Sequence, residues 1–550
     1  MHSIQVVLAM LLAVVVSGYL VRVLPVSAPL PLVQIVLGVL VTLFSDSAVQ
    51  LNPDIFLLVF LPPLLFLDGW RIPKANLFRD KLVIIELALG LVVFTVIGAG
   101  YLIHWMIPTM PLTVAFALAA VVSPTDPVAV SSIVSRGPMP KRLMHILEGE
   151  SLLNDASGLV CFRFAVLAAV TGSFSLQEAS LTFLWLVLGG LGIGVGVMRA
   201  VSQAQRWLSR HWGEESGSAI LVNLLTPFGA YLVAEHLHAS GILAAVAAGI
   251  TMSYVELSGR ALATTRVQRT AVWDTACFAL NGLMFVLLGE QLPAILNRAA
   301  VAVHDIGDRS SGWLLLYAIA ITVILAALRY AWVWVSLSLI FFRARRDGRP
   351  WSLPDPRLVA VVSLSGVRGA ITLAGVLSLP LWLDEARELP FPARDVTIFL
   401  AAAVILISLI AASALLPRLL RGLTVTVPEE PTENREEDEA RREAATEAIK
   451  AIEDASHALG ADNADMADLY TRAAVRVMAN YQHRIGHDES QAVEGQYLRA
   501  SDQAEIALRL AGLKAEREAF YRLARSGRIS DEMSRRLVHQ VDLVEARYHH

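Results

Sequence analysis

Glu148-Gly149-Glu150-Ser151-Leu152-Leu153-Asn154-Asp155-Ala156-Ser157-Gly158 opens a segment that is otherwise apolar and runs to about Thr171. Three carboxylates and an amide stand at the head of membrane-type sequence, and ionisable groups in such a span mark an ion pathway by default. At about 100° per residue on a helix, Ser151 and Asp155 share one stripe with Glu148, while Glu150 and Asn154 lie on the stripe beside it. All five polar groups point into roughly half of the circumference. For Glu148 and Glu150 a second explanation stays open: a helix N-terminus at the membrane surface, where acids complement the positive end of the dipole. Asp155 lies two turns deeper than that explanation reaches.

The rest of the chain supports a membrane setting. Of 550 residues, 55% are apolar and 17% charged, with a mean hydropathy of +0.57, far from a soluble globular average. The expected fold class is an all-α polytopic membrane protein. The net charge of −4 hides an asymmetry, since acids gather after Pro428 while the loops before it are basic; neither a nucleic-acid partner nor an acidic substrate is implied. Cys161 and Cys277 sit in apolar runs and read as small core residues, not as a disulfide or a metal site. Ile4 to Val21 has no Lys or Arg before it and no small-residue cleavage pattern after it, so it reads as a retained first span.

Runs of about 17–25 apolar residues give thirteen spans, near 4–21, 30–44, 52–68, 82–106, 112–134, 143–171, 181–205, 217–237, 239–257, 271–296, 312–341, 358–381 and 395–417, with twelve as the rival count. With the N-terminus outside, the cytoplasmic loops hold Arg22; Arg71, Lys74, Arg79 and Lys81; Arg136, Lys141 and Arg142; Arg206 and Arg210; Arg260, Arg266 and Arg269; Arg343, Arg345, Arg346, Arg349 and Arg357; and Arg418 and Arg421. The opposite loops hold Arg298, Arg309, Arg387 and Arg394. This bias satisfies the positive-inside rule with the N-terminus out and the C-terminus in.

Two spans carry breaks at mid-depth. Ser123-Pro124-Thr125-Asp126-Pro127 interrupts the fifth, because proline removes a backbone donor and stops helix continuation. Ser363-Leu364-Ser365-Gly366-Val367-Arg368-Gly369 interrupts the twelfth. Irregular backbone inside a bilayer is tolerated where protein or a water-filled cavity covers it. Spans four to six and eleven to thirteen each read as long, broken, long. They lie seven spans apart, so their orientations are opposite, as in an inverted repeat that binds its substrate where broken helices meet. Gly189, Gly190, Gly192, Gly194 and Gly196 in the seventh span favour close helix packing, within one chain rather than between two.

The chemistry follows from these groups. Asp155, Asn154, Ser151, Thr125 and the freed carbonyls of the first break form an all-oxygen set suited to a small hard cation; Asp155, Ser151 and Thr125 are the expected ligands of Na⁺. A buried carboxylate cannot easily stay bare, so it holds either a proton or a cation and exchanges one for the other when the cavity faces alternate sides. With Asn154 in place of a second acid, the cycle is electroneutral. The buried cations Arg329 and Arg368 need partners. Arg329 is paired with Glu150, and Arg368, with Asp126, is assigned to neutralising half-helix ends; the pairing of Arg368 with Glu150 stays open. Asp68 and Glu148 are candidates for the cytoplasmic entrance. Arg163 reads as a structural ion pair or a cavity-facing side chain, and His104, His145, His236 and His238 as candidate pH sensors.

Three stretches carry a family resemblance. Thr125-Asp126-Pro127-Val128-Ala129-Val130, Gly149-Glu150-Ser151-Leu152-Leu153-Asn154-Asp155 and Gly366-Val367-Arg368-Gly369-Ala370 resemble the hallmark motifs of the Na⁺/H⁺ exchanger family of monovalent cation/proton antiporters, over about 1–421. The tail is similar to that of bacterial members around Gly527-Arg528-Ile529-Ser530-Asp531-Glu532. The resemblance implies a transporter without cofactor, not an enzyme, in the inner (cell) membrane. It implies two crossed broken helices in a core bundle, roughly 82–171 and 312–421, and a dimerisation part made of the remaining spans. It further implies a homodimer that moves Na⁺ (or Li⁺) against H⁺ by an elevator-like shift, with Asp155 as the ion- and proton-binding acid, Thr125, Asp126, Ser151 and Asn154 completing the site, and Glu150 bonded to an arginine. The carry-over to Arg329 rests on Leu328-Arg329-Tyr330. An acidic linker is expected over 422–445 and a mainly helical cytoplasmic tail over 446–550, its partner unspecified.

The rivals are K⁺/H⁺ or mixed-cation exchange, an intramembrane aspartyl protease using Asp126 and Asp155, and a passive cation channel. The protease would need two acids sharing a water, whereas the neighbours here are Pro127 and Asn154. Crossed broken helices suit alternating access better than a channel.

Overall fold

The computed structural model describes residues 2–23, 28–43, 53–72, 84–134, 141–172, 176–213, 215–256, 263–306, 312–346, 355–383, 389–421, 431–462, 467–485, 509–523, 526 and 531–545. Apart from one isolated antiparallel bridge between Trp382 and Pro390, the described residues form helices and their connections. The chain divides into two compact units, Met1–Val425 and Thr426–His550. The expected loop charges Lys74, Arg79, Lys81, Arg136, Arg260, Arg309, Arg349 and Arg387 lie outside the described residues, as does Gly527-Arg528-Ile529-Ser530 of the tail motif.

The first unit runs through α1 (His2–Val23), α2 (Leu30–Leu43), α3 (Pro53–Arg71), a π-helical turn (Glu86–Gly90) leading into α4 (Leu91–Met106), α5 (Leu112–Val122), α6 (Pro127–Val134), α7 (Lys141–Thr171), α8 (Leu176–Trp212), α9 (Ser216–His236), α10 (Gly241–Glu256), α11 (Ala263–Ile306), α12 (Gly312–Arg346), α13 (Pro356–Leu364), α14 (Ala370–Leu377) and α15 (Arg394–Leu420). Among the described residues, eight helices are long and apolar enough to cross a membrane, and α2, α5 and α10 contribute shorter apolar segments. The chain is a multi-pass membrane protein. Both expected breaks are present: α5 and α6 are separated by Ser123–Asp126, and α13 and α14 by Ser365–Gly369. At 1.5 Å per residue, these half-helices of 8 to 11 residues reach about half-way across a bilayer core of about 30 Å.

Packing sorts the helices into two groups. α3 lies against α10, α8 against α10, and α2 against α11, while α4 packs on α5, α5 on α7, and α12 on α4 and α15. Between the groups the main contact is α11 on α15, with smaller contacts of α3 on α7 and α14. Small residues set the closest approaches. A Cβ on Gly249 of α10 would overlap the carbonyl of Phe66 in α3. In α8, Gly190 and Gly194 face Ser240 and Ala244 while Gly192 and Gly196 face open space, so this glycine run serves packing within the chain. Cys161 and Cys277 are free thiols, half-buried.

The extent of α7 decides between the two explanations left open for Glu148 and Glu150. The helix begins at Lys141, about two turns before Glu148, so Glu148 and Glu150 lie inside it and do not complement its N-terminus. In the second unit, α16 (Pro431–Asp462) packs on α17 (Ala467–Ile485). Arg517, in a helical run over 509–523, pairs with Asp542 and Glu545 of α18 (Asp531–Glu545). The acidic stretch read as a linker over 422–445 is helical from Pro431 onward; 422–430 lies outside the described residues. Proline suits a first helical position, and the Glu, Arg and Ala that follow are good helix formers.

Gly249→Ala is expected to destabilise the protein by about 1–3 kcal/mol through overpacking. Gly192→Ala, facing open space, does not. Thermal unfolding in detergent distinguishes the two.

Candidate functional site

The site is built where the two breaks cross. Pro124 cannot donate to the ladder of α5, and Pro127 takes the first position of α6, where a missing N–H goes unfelt. Between them the Asp126 amide donates to the Val367 carbonyl of the other break at 2.7 Å. The Asp126 side chain caps α6, its Oδ1 accepting from the Ala129 amide at 3.2 Å. The same carboxylate lies against Gly369, the residue before α14; a Cβ there would collide with it. One acid thus stands beside the N-terminal ends of two half-helices, which attract negative charge.

The C-terminal ends are served by arginines. Arg368, 3% exposed, donates from Nε to the Val122 carbonyl at the end of α5 at 2.9 Å and from Nη1 to the Gly366 carbonyl. Its amide donates to Ser408 Oγ of α15 at 3.2 Å. Arg329 of α12, 2% exposed, donates from Nε to Val362 near the end of α13 at 3.1 Å. The remaining nitrogens of Arg329 grip Glu150 in a fork: Nη1 donates to Oε1, and Nη2 to Oε2 at 2.7 Å. Glu150 is fully buried. Arg329 is therefore the arginine that meets Glu150, while Arg368 spends its donors on carbonyls.

α7 presents the rest. Ser151 Oγ donates to the Thr125 carbonyl at 2.7 Å, and Asn154 Nδ2 donates to Thr125 Oγ1 at 3.0 Å while reaching Glu150 Oε1 at 3.5 Å. With its amide nitrogen so engaged, Asn154 holds its Oδ1 in a fixed direction, buried and without a hydrogen-bond donor. Asp155 is 4% exposed, and its strongest charge–charge interactions are with the acids Asp126, Asp68 and Glu150. A buried carboxylate among like charges, with an orphaned carbonyl oxygen on the adjacent residue, has the composition of a cation or proton site.

Asp68, on α3, is exposed although its neighbours Leu67 and Gly69 are buried, and Glu148 and Asp126 are half-buried. Asp68 interacts electrostatically with both Asp126 and Glu148. His145 Nδ1 lies 3.4 Å from Glu148 Oε2, and His104 Nδ1 meets the Met110 carbonyl at 2.8 Å in the turn between α4 and α5. Arg163 pairs with Glu235 of α9 at 3.0 Å and stands apart from the site.

Sequence reasoning missed four participants. Ser157 Oγ donates to the Ala88 carbonyl of the π-helical turn at 2.7 Å, tying the ion-site helix to an irregularity that leaves no periodic signature. Ser408 and the receiving carbonyls of Val122 and Val362 belong to backbone geometry. The one available signal for Ser157 was its place two residues past Asp155 in an apolar run.

Removing one partner of the buried fork leaves a buried charge uncompensated. Glu150→Gln is expected to lower stability by about 3–5 kcal/mol, and the paired change Glu150→Leu with Arg329→Met by less than Glu150→Gln alone, as read by unfolding in detergent.

Comparison with known proteins agrees with this geometry. A family model described as sodium/hydrogen exchanger, transmembrane, matches residues 9–422. The chain is 40% identical to the uncharacterized Na(+)/H(+) exchanger YjcE of Escherichia coli (strain K12), over 98% of each chain. It is 38% identical to the sodium, potassium, lithium and rubidium/H(+) antiporter of Bacillus subtilis (strain 168), over 99% of this chain and 78% of that one. In fold it is similar to the sodium proton antiporter MjNhaP1 of Methanocaldococcus jannaschii, with a TM-score of 0.57 at 16% identity, covering 77% of this chain and 99% of the other. A match that takes in both breaks and α7 between them, joined to full-length similarity to bacterial exchangers, places the chain in the sodium/hydrogen exchanger family of monovalent cation/proton antiporters.

Proposed function

We propose that the chain exchanges Na⁺ or Li⁺ for H⁺, one for one, with cation and proton competing for Asp155. The observation that carries this reading is the pairing of a buried, acid-surrounded Asp155 with the fixed and unsatisfied Asn154 Oδ1 at the crossing of two broken helices. Ser151, Thr125 and Asp126 complete the oxygen set. Glu150 is neutralised by Arg329, so Asp155 is the acid left to change its partner, and one charge leaves for each that enters. As a member of an antiporter family the chain is a transporter and not an enzyme, and it needs no cofactor.

The wider reading is a homodimer in the inner membrane with thirteen crossings, the N-terminus outside and the C-terminus cytoplasmic. Residues 82–171 and 312–421 form the moving core and the remaining spans form the dimerisation part. Asp68 and Glu148 line the cytoplasmic mouth. Packing of the helices into two groups, joined by fewer contacts than each contains, supports alternating access by movement of one group against the other. A second reading is exchange of a broader set of monovalent cations, favoured by the similarity to an antiporter named for sodium, potassium, lithium and rubidium.

In proteoliposomes, Asp155→Asn is expected to abolish cation-driven proton movement while the protein still folds; wild-type rates in that variant would refute the role. A series of Li⁺, Na⁺, K⁺ and Rb⁺ across pH 6–9 separates the narrow from the broad reading. One-for-one exchange builds no membrane potential, and a potential generated by turnover would sink it.

A further inference from the structure

In the reading above the ion site opens past Asp68 and Glu148, and an apolar cluster lies on α7 where the two helix groups meet. Leu152 and Leu159 of α7 pack in one apolar cluster with Leu61 of α3 and Ile242 and Leu243 of α10. Beyond this cluster, about 12 Å from Asp155 along α7 at 1.5 Å per residue, Arg163 Nη2 donates to Glu235 Oε1 at 3.0 Å. The pairs Arg329–Glu150, Arg71–Asp274 and Arg269–Glu256 each stay within one helix group, whereas Arg163–Glu235 bridges the two.

The acceptor is held in place. Glu235 Oε1 also accepts from the Gly241 amide at 3.4 Å, at the start of α10. The turn from α9 to α10 passes through His238 in the left-handed region at φ 53°. α8 braces that turn: the Ser240 amide donates to the Leu186 carbonyl at 3.2 Å, and Trp185 Nε1 to the Leu237 carbonyl at 3.3 Å. The donor is the tip of a long side chain on the ion-site helix. Beside the pair, Leu159 and Val160 of α7 face Leu186 and Ile242 across a crevice too narrow to admit water.

We propose that Arg163 and Glu235 form a latch between the two helix groups that is closed while the site opens past Asp68 and is broken each time the site faces the opposite side. The inference rests on the alternating-access reading above. Both side chains are about half-exposed, at 42% and 33%, and such pairs contribute weakly. The latch therefore biases the two states by about two- to fivefold and leaves both accessible.

The test joins the positions covalently. Arg163→Cys and Glu235→Cys are introduced in a Cys161→Ala, Cys277→Ala background, and the protein is cross-linked in proteoliposomes with a short, reducible bifunctional thiol reagent. The uncross-linked protein is expected to exchange cations for protons, the cross-linked protein to stop, and reductant to restore turnover. Cross-linked protein that transports at the uncross-linked rate overturns the latch. Failure of the unmodified wild type to move any cation would instead overturn the exchange reading. Should the cysteine background be inactive, charge swapping decides: Arg163→Glu and Glu235→Arg each shift the cation KM by about two- to fivefold, and the two together return it. Single variants with unchanged KM refute the proposal.

Discussion

Four helix ends are buried where the broken helices cross, and each carries about half an elementary charge of backbone dipole. Nothing else in the first unit could stand unless those ends were neutralised. The chain does so with few side chains: Asp126 at the two N-terminal ends, Arg368 at Val122 and Gly366, and Arg329 at Val362. Glu150 then balances Arg329. What remains is Asp155, whose charged surroundings are mainly negative. In the exchange proposed above, this is the group whose charge a mobile ion matches.

The same packing that buries the crossing also limits how it can move. Side chains within each helix group interdigitate around contacts as tight as Gly249 on the Phe66 carbonyl, and close-packed interiors move as units rather than deform continuously. Among the described residues, the groups meet along α11 and α15 and, beside α7, at an apolar cluster and one half-exposed ion pair. The boundary between the groups runs along α7, which carries Asp155 together with Leu152 and Leu159 of the apolar cluster.

Much of this was legible in the sequence because the decisive features violate membrane-span rules. Pro124 and Pro127 cannot continue a helix, Gly366 and Gly369 weaken one, and a buried Arg329 demands an acid, which Glu150 on the stripe beside Asp155 supplies. Family resemblance at the same three stretches pointed to the same residues. The rest depends on backbone geometry or on long-range partners. The π-helical turn that receives Ser157 has no compositional mark. The Arg163–Glu235 pair joins positions 72 residues apart, and neither side chain names the other. The sixth span reads from near 143, and its helix starts two residues earlier at Lys141; the stretch expected as a linker is helical from Pro431, where Glu, Arg and Ala carry helix propensity as well as charge.

Asn154 commits its nitrogen to Thr125 Oγ1 and to Glu150 Oε1, so this position is wired into the Glu150–Arg329 fork as well as into the crossing. An aspartate there would lose both donations and set a fresh negative charge against Glu150. An acid at this position would therefore unsettle the Glu150–Arg329 fork before it could serve as a second exchangeable charge.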